Sequence, residues 1–576
     1  MNTYQPEGDI LFVSNGRERC FSRPLKIIST CRTEEVRGCV ERIAIDVASG
    51  LYAAGFIAYE AAPGFDSALS THPPGEVPLL YFALFSDAPV VTVNEPEMNA
   101  FSVSPWNAEI TRDEYQNAIG RIREFIAAGD TYQVNYTFPM TASFSGDAQI
   151  WFRSLCLLQR SNHAAFLDAG RFSILSVSPE LFFRLDGDRL ETRPMKGTRP
   201  RGRWPGEDRH LVRELVASEK ERAESVMIVD LLRNDIGRIS EVGSVEVPRL
   251  FDVERYETVW QMTSTITSRT CASMPEIFAS LFPSGSVTGA PKIRTMQIIR
   301  DLERFPRGVY CGAIGWWAPG RKAEFNVAIR TAVIDKGNGT TRYHVGGGIT
   351  WDSSAEAEYD ECRVKAIVVT KPRPRFELLE TLLFDQGYFL LDDHMARLGE
   401  SAEYFDFSFD KDKARTLLAE RASTFANIPR KVRLLMERDG TIRIEHGPIT
   451  PLENVRLALA ARPVDDRDVF LYHKTTHRTV YENAKSSELN CTDVILWNQR
   501  GEITETTIAN IALKIDGEWL TPPVSSGLLA GVMRGHLLRE GRLREAVLHK
   551  TDLGKASAIA IFNSVRKWID VHSIKQ

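Results

Sequence analysis

The 576-residue sequence lacks the features that mark secreted, membrane-spanning and disulfide-rich proteins. Its eight cysteines are scattered and form no C-x-x-C pair, so reduced thiols are expected rather than a disulfide framework. No apolar run approaches the roughly 18 residues that a membrane span needs. The stretch MNTYQPEGDILFVSN has neither the basic nor the apolar region of a signal peptide. These absences predict a soluble, cytoplasmic protein with no membrane association.

An excess of positive charge is also missing. The chain has 71 lysines and arginines against 76 acidic residues, a formal net charge of -5, and no long basic run. We therefore expect no nucleic-acid partner. The sequence contains no G-x-x-x-x-G-K-[ST] motif and no G-x-G-x-x-G motif between a strand and a helix, so nucleotide binding has no support.

The length predicts more than one domain, because a single hydrophobic core rarely serves so many residues. The clearest break is the segment KPRPR at 371–375, where two prolines disfavour helix at the residues before them. We place a first domain at residues 1–370, a linker at 371–375 and a second domain at 376–576.

Strands and helices are mixed without a regular β-α-β alternation, which predicts an α+β fold rather than a doubly wound sheet. In the first domain, strands are predicted at Leu181–Leu185, Gly312–Trp317 and Val327–Ile334. Helices are predicted at Arg112–Ala128, Arg209–Ile236, Lys292–Glu303 and 356–369, and a new strand begins at Phe376.

Two pairs of glutamates are spaced three residues apart within predicted helices. Glu221 and Glu224 form one pair, and Glu358 and Glu361 form the other. Residues i and i+3 share one helix face, so each pair points two carboxylates in one direction. Two such faces together would suit Mg²⁺, which prefers oxygen ligands. Spacing alone favours the simpler interpretation of two solvated faces paired with nearby lysines and arginines.

Lys196 lies in the segment ETRPMKGTRPRG, among three arginines. Neighbouring cations lower the pKa of a lysine and favour a nucleophilic amine, but a lysine in a basic loop could equally bind an anion. The glycine-dense stretches SGSVTGAPK (284–292) and HVGGGIT (344–350) permit a ligand to approach the backbone, or form simple turns. Local sequence leaves both questions open.

A series of segments, taken in order, resembles the chorismate-utilising enzymes over roughly residues 50–370. They are AAGDTYQVNYT, SVSPELFFRL, ETRPMKGTRPRG, SEKERAESVMIVDLLRND, SGSVTGAPKIRTMQII, GVYCGAIGW, AIRTAVI and SSAEAEYDECRVKA. Several independent motifs in one order are far more specific than any single motif. The resemblance implies the fold of that family, with large β-sheets surrounded by helices.

The resemblance also implies roles for individual residues. Glu221, Glu224, Glu358 and Glu361 would surround Mg²⁺, which holds the ring carboxylate of chorismate. Glu180 would be the general acid that assists loss of the ring hydroxyl. The remaining residues implied to hold the substrate are Tyr310, Arg330, Gly346, Gly347, Lys365 and Gln133.

Two positions divide the family by reaction. Members that add water at ring C2 carry lysine where this chain has Gln133, and members that add ammonia at C2 carry alanine where it has Lys196. A lysine in this context resembles the members whose amine attacks C2, so that ammonia enters at C4. Many relatives carry histidine at the position of Gln261, and glutamine cannot supply the charge of an imidazolium. The resemblance implies Lys196 as the nucleophile and amination at C4.

The second domain contains LLDDHMARL, VFLYHKTTHRTVYENA, GEITETTIANIAL and TPPVSSGLLAGVMR in that order. Lys474 could form a Schiff base, and Glu505 could keep a pyridinium nitrogen protonated. The Gly531–Val532 turn could open a helix whose N–H groups bind a phosphate. Each feature alone is also typical of a surface lysine, a solvated strand charge or a helix cap.

Together these segments resemble the class IV (fold-type IV) pyridoxal-phosphate enzymes over residues 376–576, a domain of two α+β subdomains. The resemblance implies that Lys474 binds the cofactor and shuttles the proton, and that Glu505 contacts the ring nitrogen. It implies that Arg397 and the Gly531–Val532 backbone hold the phosphate, and that the protein forms a homodimer. These residues do not separate lyases from aminotransferases, but the segment KTTHRT and the fusion favour a lyase.

The sequence therefore predicts p-aminobenzoate synthesis for folate, in which chorismate is aminated at C4 and pyruvate is then eliminated. No glutamine-amidotransferase cysteine segment is found, so ammonia is expected from a separate glutaminase subunit or from free ammonium. One alternative is a C2-aminating, anthranilate-forming enzyme fused to an amino-acid aminotransferase, which Lys196 disfavours. The other is a non-catalytic chorismate-binding regulator, which the full set of carboxylates and Lys474 disfavour.

Overall fold

The computed structural model describes residues 8–14, 17–92, 101–159, 161–370, 374–425, 428–486 and 491–575. The chain divides into two units, one of residues 1–201 and 212–373 and the other of residues 202–211 and 374–576. Each unit has its own sheets and hydrophobic core. The predicted linker at 371–375 falls mainly outside the described residues, and the predicted domain boundaries stay predictions.

The first unit is built mainly from antiparallel strands. In chain order these are Ile10–Ser14 (β1), Arg17–Phe21 (β2), Lys26–Thr30 (β3), Tyr52–Ile57 (β4), Leu80–Phe85 (β5), Val90–Thr92 (β6), Phe101–Val103 (β7), Asn107–Ala108 (β8), Gln133–Gly146 (β9), His163–Ala169 (β10), Phe172–Ser178 (β11), Leu181–Asp186 (β12), Arg189–Arg193 (β13), Met195–Pro200 (β14), Glu246–Arg255 (β15), Val259–Arg269 (β16), Gly289–Ala290 (β17), Ala313–Ala318 (β18), Lys322–Val327 (β19), Thr331–Asp335 (β20) and Thr340–Ile349 (β21).

These strands form two large sheets. One has the order β17-β9-β21-β20-β11-β10-β1-β2-β6, and the other has the order β14-β16-β13-β12-β19-β18-β4-β5-β3. Phe12 and Phe21 of the first sheet pack with Phe56 and Phe85 of the second in one buried cluster. The inward-facing side chains of the two sheets therefore make a core between them.

Helices cover the outer faces of the two sheets. The helices before residue 371 are Val36–Ala48 (α1), Arg112–Ala127 (α2), Ala148–Gln159 (α3), Pro205–Ala217 (α4), Glu219–Gly237 (α5), Met274–Leu281 (α6), Lys292–Leu302 (α7) and Ala355–Thr370 (α8). Helices α2, α3, α7 and α8 pack on the first sheet, and α1, α5 and α6 pack on the second. Helix α2 begins at a capping box, in which Thr111 and Glu114 bond each other's backbone N–H.

Most of the predicted elements of this unit are confirmed within one or two residues, but two predictions are wrong. The helix predicted at Arg209–Ile236 is two helices, because Ser218 is extended (φ -67°, ψ 112°) and its hydroxyl caps α5. The strand predicted at Val327–Ile334 is also two elements. Strand β19 ends at Val327 in one sheet and β20 begins at Thr331 in the other, with Arg330 at a positive φ of 52° between them.

The second unit mixes short sheets with helices. Its strands are Leu378–Phe384 (β22), Arg430–Met436 (β23), Ile442–Gly447 (β24), Arg456–Leu459 (β25), Asp493–Trp497 (β26), Ile503–Thr506 (β27), Asn510–Ile515 (β28), Glu518–Thr521 (β29), Arg544–Glu545 (β30), Ala558–Asn563 (β31), Lys567–Asp570 (β32) and Ser573–Lys575 (β33). Its further helices are Leu391–Phe405 (α9), Lys411–Ala422 (α10), Thr479–Ser486 (α11) and Val532–Arg539 (α12).

The second unit has one core around the sheet β22-β23-β24 and others around the sheets formed by β25 to β33. Helices α9 and α10 pack on the three-stranded sheet, and α12 packs on β31. The predicted α+β character is confirmed in both units. Among the described residues, no helix is both long and apolar enough to cross a membrane.

Candidate active sites

One cavity of the first unit brings together nearly all the residues that the sequence singled out there. Its walls come from the strand ends of both sheets and from helices α5 and α8. The predicted residues that line it are Glu180, Lys196, Glu221, Glu224, Tyr310, Arg330, Gly346, Gly347, Glu358, Glu361 and Lys365. Gln133 does not line the cavity but lies behind its wall on β9.

Lys196 reaches the cavity from β14. A Cβ added to Gly348 would lie 2.6 Å from the Lys196 Nζ and 2.6 Å from the Gln133 Nε2, so any other residue there would displace the ends of both side chains. Gln133 is fully buried, and its side-chain amide makes no hydrogen bond within the described part of the chain. Burial lowers the pKa of Lys196, and Lys365 acts in the same direction. This environment favours the neutral, nucleophilic amine.

Glu180 lies beside Lys196 at the start of β12. Its Oε1 accepts a hydrogen bond of 2.5 Å from the hydroxyl of Ser286, and the residue is only 4% exposed. Burial raises the pKa of Glu180 to about 7, against the opposing effects of Ser286 and Lys196. A carboxyl group with such a pKa can act as a general acid at neutral pH.

The carboxylates from α5 and α8 face the same cavity, and two of them are paired with cations. Glu221 accepts a hydrogen bond of 2.7 Å from Arg199 Nη1, and Glu361 pairs with Lys365 at 2.7 Å. The Lys365 charge lowers the pKa of Glu361. These pairs neutralise part of the negative charge that the four glutamates bring together.

The other two carboxylates are bonded mainly by hydroxyl groups. Ser353 donates a hydrogen bond of 2.7 Å to Glu358, and Thr350 lies 3.5 Å from Glu224. Burial raises the pKa of both glutamates. No cation contacts Glu358 closely among the described residues, and Lys220 is 3.9 Å from Glu224.

The four carboxylates do not converge on one point. Within the described ranges, no group of three acidic, histidine or cysteine side chains is arranged to hold a metal ion. The donor chemistry nevertheless fits magnesium, because carboxylates from two helices surround a cavity that is open to water and to an anionic ligand. The residues present are therefore compatible with Mg²⁺ bound through few direct ligands.

The cavity also contains cationic and backbone groups. Lys365 Nζ donates a hydrogen bond of 2.8 Å to the Gly346 carbonyl, and Arg330 donates one of 2.5 Å to the Lys365 carbonyl. A Cβ on Gly346 would come within 2.3 Å of the Tyr136 carbonyl, so glycine is required there. The Tyr310 ring stacks on His344 at 5.2 Å. These groups form a surface that suits a carboxylate.

A cavity of the second unit contains all five predicted residues of that unit, namely Arg397, Lys474, Glu505, Gly531 and Val532. Lys474 lies next to strand β22. Its carbonyl accepts a hydrogen bond of 3.0 Å from the N–H of Leu379 on that strand. Burial lowers the pKa of Lys474 to about 8, and Arg397 acts in the same direction. A far larger fraction of this lysine is therefore a neutral amine near neutral pH than of an exposed lysine.

Glu505 is buried at the floor of this cavity. Its carboxylate accepts hydrogen bonds from the Tyr481 hydroxyl at 2.9 Å and from the Leu529 N–H at 3.1 Å. Burial raises the pKa of Glu505 to about 7, although both hydrogen bonds oppose the shift. Such a group can share a proton with a heteroaromatic nitrogen placed against it.

Arg397 and the start of α12 form the end of the cavity suited to a phosphate. Gly531 is the N-cap of α12, and a Cβ there would come within 1.9 Å of the Asn510 Oδ1. The free N–H groups of a helix start attract an anion, and Arg397 adds a full charge. With an amine, a buried acid and an anion-binding end in one cavity, the residues fit pyridoxal phosphate.

Several functional-site residues were not predicted from the sequence. They are Arg199, Ser286, Ser353, Glu380 and Tyr481. Ser286 lies in the glycine-dense segment that was interpreted only as a place of close backbone approach. The other four contact site residues that are between 5 and 24 positions away in the chain, and local sequence carries no signal for such pairs.

Two protein families match this chain, one in each part of it. Residues 16–371 match the family of chorismate binding enzymes, and the chain belongs to this family. Residues 377–574 match the class IV amino-transferases, so a region of that class follows the chorismate-binding region. A class IV region implies pyridoxal phosphate as its cofactor. Both resemblances found in the sequence are confirmed.

Individual relatives match the first region. The chain is 44% identical over 291 residues to an aminodeoxychorismate synthase of Streptomyces griseus. The matched segment covers 50% of this chain and 39% of that protein. It is 42% identical over 260 residues to aminodeoxychorismate synthase component 1 of Salmonella typhimurium. That segment covers 45% of this chain and 57% of that protein. The match thus spans about half the length of these relatives.

A solved structure shares the fold. Anthranilate synthase component I of Streptococcus pneumoniae superposes with a TM-score of 0.52 at 24% identity. The match covers 64% of this chain and 91% of that structure. At this identity the comparison supports the fold of the first unit and not a particular reaction.

Proposed function

We propose that this chain makes p-aminobenzoate from chorismate in two steps, one in each region. The first region aminates chorismate at C4 to give 4-amino-4-deoxychorismate and water. The second removes pyruvate from that product. Support comes from the names of the relatives of the first region and from a class IV region behind it. The observation that carries the proposal is Lys196, a lysine of lowered pKa beside the buried acid Glu180.

In the first step, the neutral Lys196 amine attacks C2 of the ring and the ring double bond shifts toward C4. The C4 hydroxyl leaves as water when Glu180 donates its proton. Ammonia then adds at C4, the double bond shifts back, and the Lys196 amine is expelled from C2. The covalent step divides one difficult displacement into two easier ones. Gln133 cannot activate water, which leaves the amine as the nucleophile at C2.

Magnesium is the proposed metal of this step. Glu221, Glu224, Glu358 and Glu361 would hold it, and it would supply positive charge to orient and neutralise the ring carboxylate. Lys365 would face the same carboxylate. The other groups proposed to hold chorismate are Tyr310, Arg330 and the Gly346–Gly347 backbone.

In the second step, Lys474 removes the C4 proton of the 4-amino compound. The C3–O bond then breaks, the enolpyruvyl group leaves as pyruvate after it gains a proton, and the ring becomes aromatic. Pyridoxal phosphate, when bound, stabilises the negative charge that develops at C4. Glu505 would hold the proton at its ring nitrogen, and Arg397 with the Gly531–Val532 backbone would hold its phosphate.

We infer that ammonia reaches the first site from a separate glutamine amidotransferase subunit. The Salmonella typhimurium relative is named component 1, which is consistent with a further component. Free ammonium at high concentration should replace that subunit. A cytoplasmic location and a homodimer formed through the second region stay predictions of the sequence.

The test is the product that the purified chain forms from chorismate, Mg²⁺, ammonium and pyridoxal phosphate. We expect p-aminobenzoate and pyruvate in equal amounts, measured by chromatography and a coupled pyruvate assay. Anthranilate as the product would contradict the proposal and indicate C2 amination. Omission of pyridoxal phosphate should stop the reaction at the 4-amino compound.

A further inference from the structure

The strand that carries Lys196 has an extra residue at that position. Strand β14 pairs with β16 through Met195 with Thr263 and through Thr198 with Gln261. The chain advances three residues along β14 between these pairs but only two along β16. Lys196 and Gly197 therefore form a β-bulge, which bends a strand and redirects its side chains.

The conformation of Gly197 completes the bulge. Gly197 has a φ of 88°, which an L side chain rarely adopts. A Cβ there would also crowd the Glu221 carboxylate at 3.2 Å and Met262 at 3.3 Å. A bulge interrupts the hydrogen-bond ladder, so the main-chain groups next to the extra residue need other partners.

The side chain of Gln261 supplies a partner for one of these main-chain groups and a contact to the next residue. Its Nε2 donates a hydrogen bond of 3.0 Å to the Gly197 carbonyl. Its Oε1 accepts a hydrogen bond of 3.0 Å from the Thr198 hydroxyl. One amide thus contacts both of the residues that follow Lys196 and bridges the interruption in the ladder.

We propose that Gln261 is a positioning residue, which holds the bulge so that the Lys196 amine points at the bound ring. The proposal rests on the proposed function, in which Lys196 is the nucleophile. An amide has the donor and the acceptor that the Gly197–Thr198 segment needs, and neither contact requires a charge.

Gln261 also lines the cavity, so direct binding of chorismate is the competing role. The two roles differ in their kinetics. A residue that binds substrate equally in the ground and transition states changes KM, whereas one that aims the nucleophile changes kcat. A misplacement of about 1 Å costs on the order of 100-fold in rate.

The experiment uses the full chain with Mg²⁺ and saturating ammonium, and follows the 4-amino product at varied chorismate. Gln261→Met keeps the size of the side chain and removes both hydrogen bonds. We expect kcat to fall by about 10- to 100-fold with KM within about twofold. The control is Gln116→Met on the exposed face of α2, which should match the wild type in both constants.

Thr198→Val provides a second variant that hardly perturbs a strand. It removes only the hydroxyl contact, so we expect kcat to fall by about three- to tenfold. The double variant should lose less than the product of the two single losses, because both act through one contact. Melting temperatures of all variants should stay close to that of the wild type.

Three results would overturn the proposal. An unchanged kcat in Gln261→Met would show that the bulge needs no amide. A raised KM at constant kcat would make Gln261 a substrate-binding residue. Fully multiplicative losses would show that Thr198 and Gln261 act separately. Failure of the proposed function is distinguishable, because the wild type would then form no 4-amino product before any variant is compared.

Discussion

Arg397 donates two parallel hydrogen bonds to Glu380, from Nε to Oε1 at 2.8 Å and from Nη2 to Oε2 at 2.7 Å. Glu380 is 1% exposed and also contacts His394 at 2.7 Å. Burial opposes its ionisation, but the charges of Arg397 and His394 hold the pKa of Glu380 well below its usual range. The pair fixes the guanidinium at the proposed phosphate end of the second cavity.

Glu380→Gln should therefore weaken the binding of pyridoxal phosphate. An amide cannot accept both bonds, so Arg397 loses its fixed orientation and the dissociation constant should rise about 10- to 100-fold. Titration of the cofactor absorbance measures this constant. Glu377→Gln, which changes a glutamate paired with Arg443 three residues before Glu380, is the matched control. Equal constants for Glu380→Gln and the wild type would contradict the positioning of Arg397.

Lys196→Ala should remove C4 amination. Without the amine no covalent bond forms at C2, so production of the 4-amino compound should fall by on the order of 1000-fold or more, and any remaining flux should give anthranilate. Chromatography of both products measures the outcome. Lys322→Ala, an exposed lysine on β19, should behave as the wild type. Unchanged activity of Lys196→Ala would reject the covalent route.

The raised pKa of Glu180 predicts how the rate of the first step changes with pH on the alkaline side. The group is protonated below its raised pKa of about 7 and ionised above it, and only the protonated form can donate to the leaving hydroxyl. The rate at saturating chorismate should thus decrease as pH rises through about 7. Glu180→Gln should be slow at all pH values and should lack this decrease. A variant that retained the decrease would assign it to another group.

Lys474→Ala should separate the two steps. It lacks the amine that binds the cofactor and takes the C4 proton, so the absorbance of covalently bound pyridoxal phosphate should disappear. The 4-amino compound should accumulate, and p-aminobenzoate should fall by on the order of 1000-fold. Lys485→Ala on the exposed side of α11 is the control. Normal release of p-aminobenzoate by Lys474→Ala would reject the assignment of Lys474.

Local sequence predicted the elements whose signals lie within a few residues. The helix predicted at Arg112–Ala128 is α2, and the strand predicted at Leu181–Leu185 is β12. It failed at Ser218, where a capping hydroxyl interrupts an apparently continuous helix. It also failed at Arg330, where the chain passes from one sheet to the other. Such a transfer depends on how the sheets pack.

The sequence by itself determined the two families and predicted the reactive groups, since both depend on motifs in a fixed order. Only the tertiary structure decided how those groups are tuned. It buries Glu180 against Ser286 and pairs Glu221 with Arg199. It also places the side-chain amide of Gln261 against the bulge that contains Lys196. These contacts join residues 22 to 106 positions apart, and their strength depends on burial and distance. Neither quantity exists until the chain has folded.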